Sequence, residues 1–568
     1  MQTSKVKFTG ILKAIIFASF FLSSCVGGQV GTNNSGEYKN GMVVSAHPSA
    51  SKVGLDILKK GGNAVDAAVA VQFALAVVYP AAGNIGGGGF MVYRSADGDV
   101  TALDFREKAP GKAFRDMFLD AAGNPISDKS VYGHLAAGVP GSVDGMVQAH
   151  AKYGKLLWAE VVQPALDLAR QGFPVTERQA NDFADEQTSF KKYNPGKSYY
   201  IKDKWTAGEL WAQEDLANTL ELIRDNGREG FYGGAVADHI VAEMQSGGGL
   251  INKEDLQSYH AVWREPITGN YRDYKVITVP PPSSGGIALL QLLNSVEPYP
   301  LKRWGYNSDS TVQVMVEAER RVYADRASHL GDPDFYKVPQ KYLILPIYSK
   351  FRMSNFNWDR ATLSTDIKAG EVPKESEETT HFSIVDKAGN AVSITTTING
   401  SYGSKVFVKG AGFLLNNEMD DFSVKPGSPN MYGLLGGEAN SVQPNKRMLS
   451  AMTPTILEKD GQLFMIVGTP GGSTIITSVF QTILNVVDFD KSVQAAVSAK
   501  RFHHQWFPDE VLMEKNGLDS MTVSRLSEKG YKFREREAIG RVDAILKTKW
   551  GYYEGGADPR GDDTKMGW

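Results

Sequence analysis

Two threonines follow a polar, charged stretch of the chain and begin a run of residues with strand character. Residues 361–378 contain many charged side chains, one proline and few large apolar groups, a composition typical of an exposed, mobile segment. Directly after Glu378, the sequence TTHFSIVDKAGNAVSITTTING predicts two strands joined by a turn at residues 387–390. A loose segment that leads straight into a core hairpin suits a site of chain cleavage.

Thr379 becomes a usable nucleophile if the bond after Glu378 is cut. A threonine hydroxyl attacks poorly unless a base removes its proton, and a free α-amino group, with a pKa of about 7.7–8.0, can serve as that base. The same hydroxyl can make the cut by attacking the carbonyl of Glu378 and forming an ester, which water then hydrolyses. One side chain would therefore perform both self-cleavage and catalysis.

The register of the predicted hairpin decides which side chains lie beside Thr379. Symmetric pairing about residues 388–389 places Thr379 opposite Ile398, with Thr397 and Asn399 on either side. A three-residue loop shifts the register by one and places Thr397 or Asn399 directly opposite Thr379. Both alternatives bring hydroxyl and amide groups to one end of the strand pair.

Nine motifs resemble, in content and in order, those of the γ-glutamyltranspeptidases, a family of N-terminal-nucleophile hydrolases. They are GGNAVDAAVA (61–70), GNIGGGGF (83–90), ALDFREKAP (102–110), PPPSSGG (280–286), ETTHFSIVD (378–386), LLNNEMDDF (414–422), PNKRMLSAMTPT (444–455), GTPGG (468–472) and ADPR (557–560). The resemblance extends over nearly all of the chain after residue 41. It implies a four-layer αββα sandwich of the N-terminal-nucleophile hydrolase type, an α+β fold that both cleavage products form together.

The resemblance also implies roles for the matching catalytic residues. Thr379 matches the nucleophile and new N-terminus, and Thr397 matches the threonine that hydrogen-bonds it in self-cleavage and catalysis. Gly471 and Gly472 match the pair whose backbone N–H groups form the oxyanion hole, where the absence of side chains permits close approach. The implied cleavage site is the bond between Glu378 and Thr379.

Five further residues match the part of the family's site that holds the substrate. Arg106 matches the arginine that binds the substrate α-carboxylate, a role that suits a planar guanidinium, and Ser450 matches a second contact to that carboxylate. Asn399, Glu418 and Asp421 match the residues that receive the substrate α-ammonium group.

Two features of the implied pocket bear on its selectivity. Ser450 is followed by Ala451 where the family commonly has a second serine, so one hydroxyl contact is absent, a loss of about 0.5–1.5 kcal/mol. Residues 426–437, PGSPNMYGLLGG, resemble the lid loop that closes the pocket in many members, with Tyr432 as its gate. Some relatives that act on bulky polymeric or antibiotic amides lack this lid, so its presence favours a small substrate.

The resemblance implies a self-cleaving γ-glutamyltransferase and hydrolase. Its donors are glutathione and other γ-glutamyl amides, its intermediate is a γ-glutamyl ester of Thr379, and its acceptors are water, amino acids or peptides. No metal or organic cofactor is implied. Two alternatives stay open: a related acylase for glutaryl or poly-γ-glutamyl amides, to which Ala451 gives support, and a non-catalytic solute-binding lipoprotein that has kept the fold.

Several other residues have structural interpretations. The glycine run at residues 86–89 lacks a G-x-G-x-x-G register and is interpreted as close backbone packing rather than a nucleotide site. The histidines show no metal-ligand spacing, and His381 is interpreted as a residue that packs beside the site. Asp104, Asp420 and Arg447 are interpreted as ion-paired supports.

Hydrophobic periodicity predicts the elements that position these residues. Residues 49–78 predict two helices broken at residues 61–62, and residues 86–107 predict a strand pair with its turn at residues 97–98. Further helices are predicted around residues 158–171, 216–226, 235–245 and 311–327. In the last helix, Glu317, Glu319, Arg320 and Arg321 have spacings that allow ion pairs on an exposed face. Runs of strands and runs of helices indicate a layered α+β fold.

The N-terminal region has the features of a bacterial lipoprotein signal. Lys5 and Lys7 precede a short apolar run at residues 14–22, which leads into Leu-Ser-Ser-Cys25, a sequence that resembles the lipoprotein box. The alternative is an ordinary secretory signal that contains a cysteine. Residues 1–24 are therefore predicted to be a signal peptide, and residues 25–41, rich in Gly, Asn and Ser, a flexible tether. Residues 42–378 and 379–568 are predicted to be the large and small subunits of a heterodimer.

Composition limits the partners and the location. The chain has 61 Lys plus Arg against 64 Asp plus Glu, so it lacks the basic excess that nucleic-acid binding requires. Its single cysteine excludes an intramolecular disulfide, a Cys-rich zinc site and an iron–sulfur cluster. The predicted location is the periplasm, with a lipid anchor on Cys25, and Val26 favours the outer membrane over the inner one.

Overall fold

A computed structural model describes residues 37–126, 128–196, 198–368, 380–425, 431 and 438–568. Cys25, Glu378, Thr379 and Tyr432 lie outside the described residues, as do the predicted signal peptide and the rest of the predicted lid loop except Met431. Within the described ranges, no helix has both the length and the apolar character needed to cross a membrane.

The helices are given in chain order. They are α1 Pro48–Lys60, α2 Ala64–Val78, α3 Ser142–Tyr153, α4 Trp158–Gln171, α5 Glu177–Asp185, α6 Gln187–Tyr193, α7 Glu214–Asn226, α8 Glu229–Tyr232, α9 Gly234–Gly247, α10 Lys253–Ser258, α11 Gly285–Val296, α12 Leu301–Trp304, α13 Asp309–His329, α14 Gln340–Leu343, α15 Pro346–Arg352, α16 Ile475–Val487, α17 Val493–Ser498 and α18 Ser520–Glu528.

The strands follow the same order. They are β1 Met42–Ser45, β2 Gly88–Arg94, β3 Val100–Asp104, β4 Phe173–Pro174, β5 Leu210–Trp211, β6 Val262–Arg264, β7 Ile267–Tyr271, β8 Tyr274–Thr278, β9 Thr380–Val385, β10 Ala391–Thr397, β11 Thr455–Lys459, β12 Gln462–Gly468, β13 Phe502–His503, β14 Val511–Glu514, β15 Phe533–Arg536, β16 Asp543–Lys547, β17 Tyr553–Gly556 and β18 Thr564–Gly567.

Two large antiparallel sheets form the centre of the protein. The first has the strand order β18-β1-β9-β10-β2-β3-β6, and the second has the order β17-β16-β12-β11-β8-β7. Apolar side chains from both sheets meet in one buried cluster, which includes Val44 and Phe90 from the first sheet and Ile277, Ile456 and Ile545 from the second. The outer face of the first sheet packs against α1, α2 and α3, and α4 packs on α2. The outer face of the second sheet packs against α11, α16 and α17, and α13 packs on α11. This arrangement confirms the four-layer αββα sandwich.

Both predicted subunits contribute strands to both sheets. In the first sheet, β9, β10 and β18 follow residue 379 in the chain, whereas β1, β2, β3 and β6 precede it. In the second sheet, β7 and β8 precede that residue and the other four strands follow it. Each sheet therefore needs both segments to be complete.

The helix pair and strand pair near the start of the chain lie where periodicity predicts them. Helices α1 and α2 are separated by Gly61, which has φ 104°, a left-handed conformation that favours glycine. Asn63 and Asp66 form a capping box at the start of α2. All fifteen residues of α2 are buried, because it packs against the first sheet on one side and against other helices on the other.

The expectation of an exposed charged face on α13 is wrong. Glu317, Glu319, Arg320 and Arg321 are all buried, none of them more than 2% exposed. Partners distant in sequence make this burial possible: Arg320 pairs with Asp509 in addition to the local pair of Arg321 with Glu317. Since buried charges are tolerated only when they are paired, the spacing on one helix could not show where these side chains lie.

The first described residues of the segment predicted to be exposed, 361–368, are anchored to the folded body at two buried positions, while four of their side chains are exposed. Ser364 and Ile367 are buried, and the backbone N–H of Ser364 donates to Asp509 Oδ2 at 2.9 Å. The indole N–H of Trp506 donates to the carbonyl oxygens of Ser364 and Ile367 at 2.8 and 3.1 Å. The part of this segment from residue 369 onward lies outside the described residues.

Residues at the end of the predicted tether also contact the folded body. The N–H groups of Lys39 and Asn40 donate to the carbonyl oxygen of Trp568 at 3.1 and 2.8 Å, and Tyr38 exchanges backbone hydrogen bonds with Tyr553. The folded body therefore begins before residue 42.

Candidate active site

The hairpin formed by β9 and β10 has one of the two registers considered from the sequence. Val385 pairs with Ala391 and Thr380 with Thr396, so the loop is the three-residue one and symmetric pairing about residues 388–389 is wrong. The Asp386 carboxylate fixes this loop because its Oδ1 accepts from three backbone N–H groups, those of residues 388, 389 and 390. Its Oδ2 accepts from the N–H of Ala64 at 3.0 Å, which ties the loop to the start of α2.

Two buried amides hold the end of β10 in place. Asn84 Nδ2 donates to the carbonyl oxygen of Thr397 at 2.8 Å, and Gln72 Nε2 donates to Thr396 Oγ1 at 3.2 Å. The glycine run before β2 lies directly against this end: a Cβ on Gly87 would stand 2.0 Å from the Thr397 carbonyl oxygen. The interpretation of residues 86–89 as close backbone packing is thus confirmed.

An arginine and three carboxyl groups form a buried cluster near this strand end. Arg106 Nη1 lies 2.8 Å from Glu418 Oε2 and 3.4 Å from Glu107 Oε2, and its Nη2 contacts Asp421 Oδ2. The same guanidinium donates to the carbonyl oxygens of Met448 and Leu449 at 3.3 and 2.9 Å. Each of the four ionisable side chains is at most 2% exposed. The site brings Arg106, Glu418 and Asp421 together, as the sequence predicts.

Burial strongly affects the charge of this cluster. It raises the pKa of Glu418 to about 8 and that of Glu107 to about 8, and the Arg106 guanidinium only partly opposes each shift. At neutral pH the Glu107 and Glu418 carboxyl groups are therefore largely protonated, although both lie beside the Arg106 guanidinium.

Asn399 and the acidic turn are joined by backbone contacts. The N–H of Asn417 donates to the Ile398 carbonyl at 3.1 Å, and Asn399 Nδ2 donates to the Asn417 carbonyl at 2.9 Å. These contacts place the short helical turn Glu418–Asp421 beside the end of β10. Asn399 has φ 65°, and its Oδ1 is buried without a hydrogen-bond partner among the described residues. A buried acceptor without a partner is costly, so this oxygen is available to a substrate N–H group.

Ser450 follows the two carbonyl groups that Arg106 contacts. Its backbone N–H donates to the carbonyl oxygen of Pro282 at 2.9 Å, and its carbonyl oxygen accepts from the N–H of Ser284 at 2.6 Å. The PPPSSGG motif therefore fixes the position of Ser450. Its Oγ accepts from the N–H of Met452 at 3.1 Å. The neighbouring Ala451 is fully buried in the apolar cluster between the second sheet and its helices.

Gly471 and Gly472 form a turn before α16. Their φ values are 136° and 62°, which only glycine adopts readily, and the turn leads into the positive end of the helix dipole. Tyr323 on α13 donates from its hydroxyl to the Ser473 carbonyl, and Ser473 Oγ donates to Gln505 Oε1 at 2.7 Å. Among the described residues, no hydrogen bond joins the two glycines to the Arg106 cluster.

Asp104 and Arg447 are ion-paired supports as interpreted from the sequence, whereas Asp420 forms no ion pair with a described residue. Asp104 Oδ1 accepts from the N–H of Arg106 at 3.0 Å, and its other oxygen pairs with Arg264 at 2.8 Å. Arg447 Nε lies 3.4 Å from Asp104. Asp420 accepts from Ser130 Oγ at 2.6 Å.

His381 is a packing residue with hydrogen bonds inside the sheet. Its ring nitrogens contact Thr395 Oγ1 at 2.9 Å and Ser383 Oγ at 3.0 Å. Burial lowers its pKa to about 3, so the imidazole is neutral at physiological pH.

Four residues with a part in the site were not predicted from the sequence. Glu107 belongs to the cluster, Asn84 and Asn417 hold its backbone, and Tyr323 holds the glycine turn. Glu107 and Asn417 each adjoin a predicted site residue within a recognised motif, and Asn84 lies in the glycine motif, so those motifs carried a signal. Nothing local distinguishes Tyr323 from other helix tyrosines.

Comparisons with known proteins agree with this geometry. Residues 50–568 match the family model of gamma-glutamyltranspeptidase. The chain is 49% identical over 535 residues to the glutathione hydrolase proenzyme of Escherichia coli (strain K12), covering 93% of this chain and 92% of that one. It is 48% identical to the glutathione hydrolase proenzyme of Pseudomonas sp. (strain A14), with 89% of each covered.

A solved structure shares the whole fold. The crystal structure of cephalosporin acylase from Bacillus halodurans superposes with a TM-score of 0.85 at 27% identity, covering 98% of this chain and 99% of that one. The family match includes every strand of both sheets except β1, as well as the Arg106 cluster and the glycine turn. The chain therefore belongs to the γ-glutamyltranspeptidase family.

Proposed function

We propose that the chain is a proenzyme that cuts itself between Glu378 and Thr379 and then acts as a γ-glutamyltransferase and glutathione hydrolase. The buried cluster of Arg106, Glu418 and Asp421 carries this proposal, because it offers both charges that an α-amino acid group requires. It lies at the end of β10, whose partner strand begins with the residue after Thr379. The names of the related proenzymes support the same activity.

Self-cleavage begins with attack of Thr379 Oγ on the carbonyl carbon of Glu378. The peptide nitrogen leaves as the α-amino group of Thr379, and the ester that forms is hydrolysed by water. The described register ends with Thr380 opposite Thr396. Thr397, the last residue of β10, is the residue that we propose hydrogen-bonds the nucleophile.

In turnover, Thr379 Oγ attacks the γ-carbonyl carbon of the donor while the new α-amino group takes its proton. The backbone N–H groups of Gly471 and Gly472 stabilise the oxyanion. The amide bond breaks, the amine leaves with the proton, and a γ-glutamyl ester remains. Water or an amino acid or peptide amine then attacks this ester, which restores the hydroxyl of Thr379.

The donor α-amino acid group fits the cluster by exchanging partners. Its carboxylate takes the place of a carboxyl group on Arg106, and its ammonium binds Glu418, Asp421 and the free Oδ1 of Asn399. The exchange keeps every buried charge paired, which is the condition for burying such groups at low cost.

Thr379→Ala tests the proposal because it removes the only attacking hydroxyl. We expect the parent protein to give two chains, the smaller starting at Thr379 by mass spectrometry, and Thr379→Ala to give one inactive chain. Thr380→Ala is the matched control, since it removes a threonine hydroxyl at the next position. We expect this variant to be cut. Two chains from Thr379→Ala, or an intact parent chain, would contradict the proposal, and an intact parent would favour the solute-binding alternative.

The acylase alternative rests on Ala451 and on the similarity to the cephalosporin acylase structure. The two activities separate when γ-glutamyl-p-nitroanilide is compared with glutaryl-p-nitroanilide, which lacks the α-ammonium group. Because the glutaryl compound leaves buried acceptors without a partner, we expect a preference of at least about 100-fold for the γ-glutamyl compound. The reverse preference would establish the acylase.

The periplasmic lipoprotein assignment is part of the same proposal. The motif that ends at Cys25 and the tether after it support a lipid anchor. The parent protein should incorporate radioactive palmitate, and Cys25→Ser should not. Absence of label from the parent, or label in the variant, would contradict the anchor.

A further inference from the structure

A cavity borders the glycine turn, and none of the residues of the Arg106 cluster line it. It has a volume of about 360 Å³ and is lined by Gly471 and Pro470, by Gly540 and Arg541, and by one face of α5. Arg106, Asn399, Glu418, Asp421 and Ser450 do not line it. Its volume lies within the range of small-molecule sites.

Helix α5 gives the cavity a charged wall. Arg178, Asp182 and Asp185 stand at spacings of four and three residues, so they project from one side of the helix. None of these three side chains forms an ion pair with a described residue, although most charged groups nearby do: Arg541 pairs with Asp563, and Glu186 with Lys405. The cavity therefore presents one cation and two anions that have no ion-pair partner among the described residues, and Arg178 Nη2 donates only to the carbonyl oxygen of Arg560.

Arg541 gives the opposite wall a fixed shape. Its guanidinium lies 2.6 Å from Asp563 Oδ2 and 2.5 Å from the Tyr79 hydroxyl, and Tyr79 itself lines the cavity. Its backbone N–H donates to Thr469 Oγ1 at 2.8 Å, which links this wall to the residues just before the glycine turn. A rigid wall and a helix with charged side chains thus face the same space beside Gly471.

The chemistry of the acyl-enzyme requires such a space. If Gly471 binds the oxyanion, the acyl carbon has the γ-glutamyl chain on its donor side and the leaving or entering amine on another side. We infer that the cavity between α5 and Gly471 binds this amine component, an amino acid or short peptide with a free carboxylate. Arg178 binds the carboxylate and Asp182 accepts a hydrogen bond from the amine. The inference rests on the proposed function.

The transfer step in this site balances without a further reactant. The amine nitrogen forms a bond to the ester carbonyl carbon, and the bond from that carbon to Thr379 Oγ breaks. The proton that leaves the nitrogen passes through the Thr379 amino group to Oγ. A neutral threonine hydroxyl and a new γ-glutamyl amide remain.

Arg178→Gln tests the site, with γ-glutamyl-p-nitroanilide as donor and glycylglycine as acceptor. We expect the KM for glycylglycine to rise about 5- to 20-fold, because a charge-assisted hydrogen bond is lost, while the donor KM changes less than about twofold. Arg525→Gln is the control: Arg525 is also a surface arginine, but it pairs with Asp309 and does not line this cavity. We expect it to keep both KM values.

An acceptor without a carboxylate gives a second readout that misfolding does not imitate. The parent should prefer glycylglycine over glycylglycinamide, and Arg178→Gln should lose this preference. An acceptor KM within twofold of the parent value, or an unchanged preference, would overturn the inference.

Binding measured without turnover separates this inference from the proposed function. Glycylglycine binding to the parent and to Arg178→Gln can be followed by saturation-transfer NMR. Binding that depends on Arg178 in a protein that releases no p-nitroaniline would refute the proposed function and keep the cavity as an amino-acid site. Turnover that is insensitive to Arg178 would refute the cavity alone.

Discussion

If the Arg106 cluster binds the donor as proposed, its carboxyl groups should set the pH at which the donor zwitterion binds best. Glu418 and Glu107 share the cation with Asp421, and burial leaves both glutamates largely protonated at neutral pH. A substrate ammonium group binds a charged carboxylate better than a neutral carboxyl group. Donor binding should therefore improve as Glu418 loses its proton.

This argument gives a pH dependence with a definite sign. Because the pKa of Glu418 is raised to about 8, the group is neutral below that pH and charged above it. The inhibition constant of L-glutamate, measured on the cleaved enzyme, should fall about tenfold between pH 6.5 and 8.5, one pKa unit being worth about 1.4 kcal/mol. Glu418→Gln should lose this slope.

Glu107→Gln is the matched control for that measurement, because it removes the other glutamate with a raised pKa but no proposed contact to the ammonium. It should keep most of the slope. Equal slopes in the parent and in Glu418→Gln would assign the pH dependence to another group, such as the Thr379 amino group.

The sequence predicted three members of this cluster, but it predicted neither Glu107 nor the protonation of the glutamates. Arg106, Glu418 and Asp421 follow from matching motifs, residue by residue. Their pKa values depend on how completely β10, the acidic turn and the Arg106 segment exclude water, which only the packed structure reveals. The choice between hairpin registers likewise depended on Asp386, whose carboxylate closes the loop and caps α2 at once.

At the scale of elements, α13 links the helices that cover the second sheet to the glycine turn, through the hydrogen bond from Tyr323 to Ser473. Its residues look amphipathic in sequence, yet partners from residues 504–509 and from the segment before residue 369 bury its charges. Periodicity located the helix correctly. It could not reveal burial, since those partners lie far away in the chain.

Tyr323→Phe tests whether α13 positions the glycine turn. The variant loses the hydrogen bond to the Ser473 carbonyl, so the N–H groups of the turn should be held less firmly. We expect kcat to fall about 2- to 10-fold with little change in donor KM, as a lost neutral hydrogen bond of about 0.5–1.5 kcal/mol implies.

Tyr271→Phe is its control. Tyr271 lies on the edge strand β7 and donates to Asp488 Oδ2 at 2.6 Å, so the variant loses a buried hydrogen bond elsewhere in the protein. It should lower the melting temperature without changing kcat. A rise in donor KM with constant kcat in Tyr323→Phe would argue against a positioning role.

At the scale of the whole molecule, both predicted subunits contribute strands to each sheet and side chains to the apolar cluster between the sheets. Both sheets combine strands from before and after residue 379, and the cluster between the sheets includes side chains from both segments. The family resemblance predicted this sharing, whereas the strand order came only from the structure.

Expression of the segments alone tests how far they depend on each other. We expect residues 42–378 and 379–568, produced separately, to show no cooperative thermal unfolding by circular dichroism, because each lacks strands from both sheets. The cleaved protein should elute as one species in size-exclusion chromatography and unfold in one transition. Cooperative unfolding of either segment alone would contradict this expectation.

Because β9 lies inside the first sheet, cleavage before it changes how refolding depends on protein concentration. Before cleavage, β9 is joined to the rest of its sheet through the chain, so refolding is unimolecular and its rate is independent of protein concentration. After cleavage, β9 must find β1 in another molecule, and refolding becomes a second-order process that dilution slows. Maturation would thus leave an enzyme that works as a unit but loses, with one bond, the ability to reassemble by itself at low concentration.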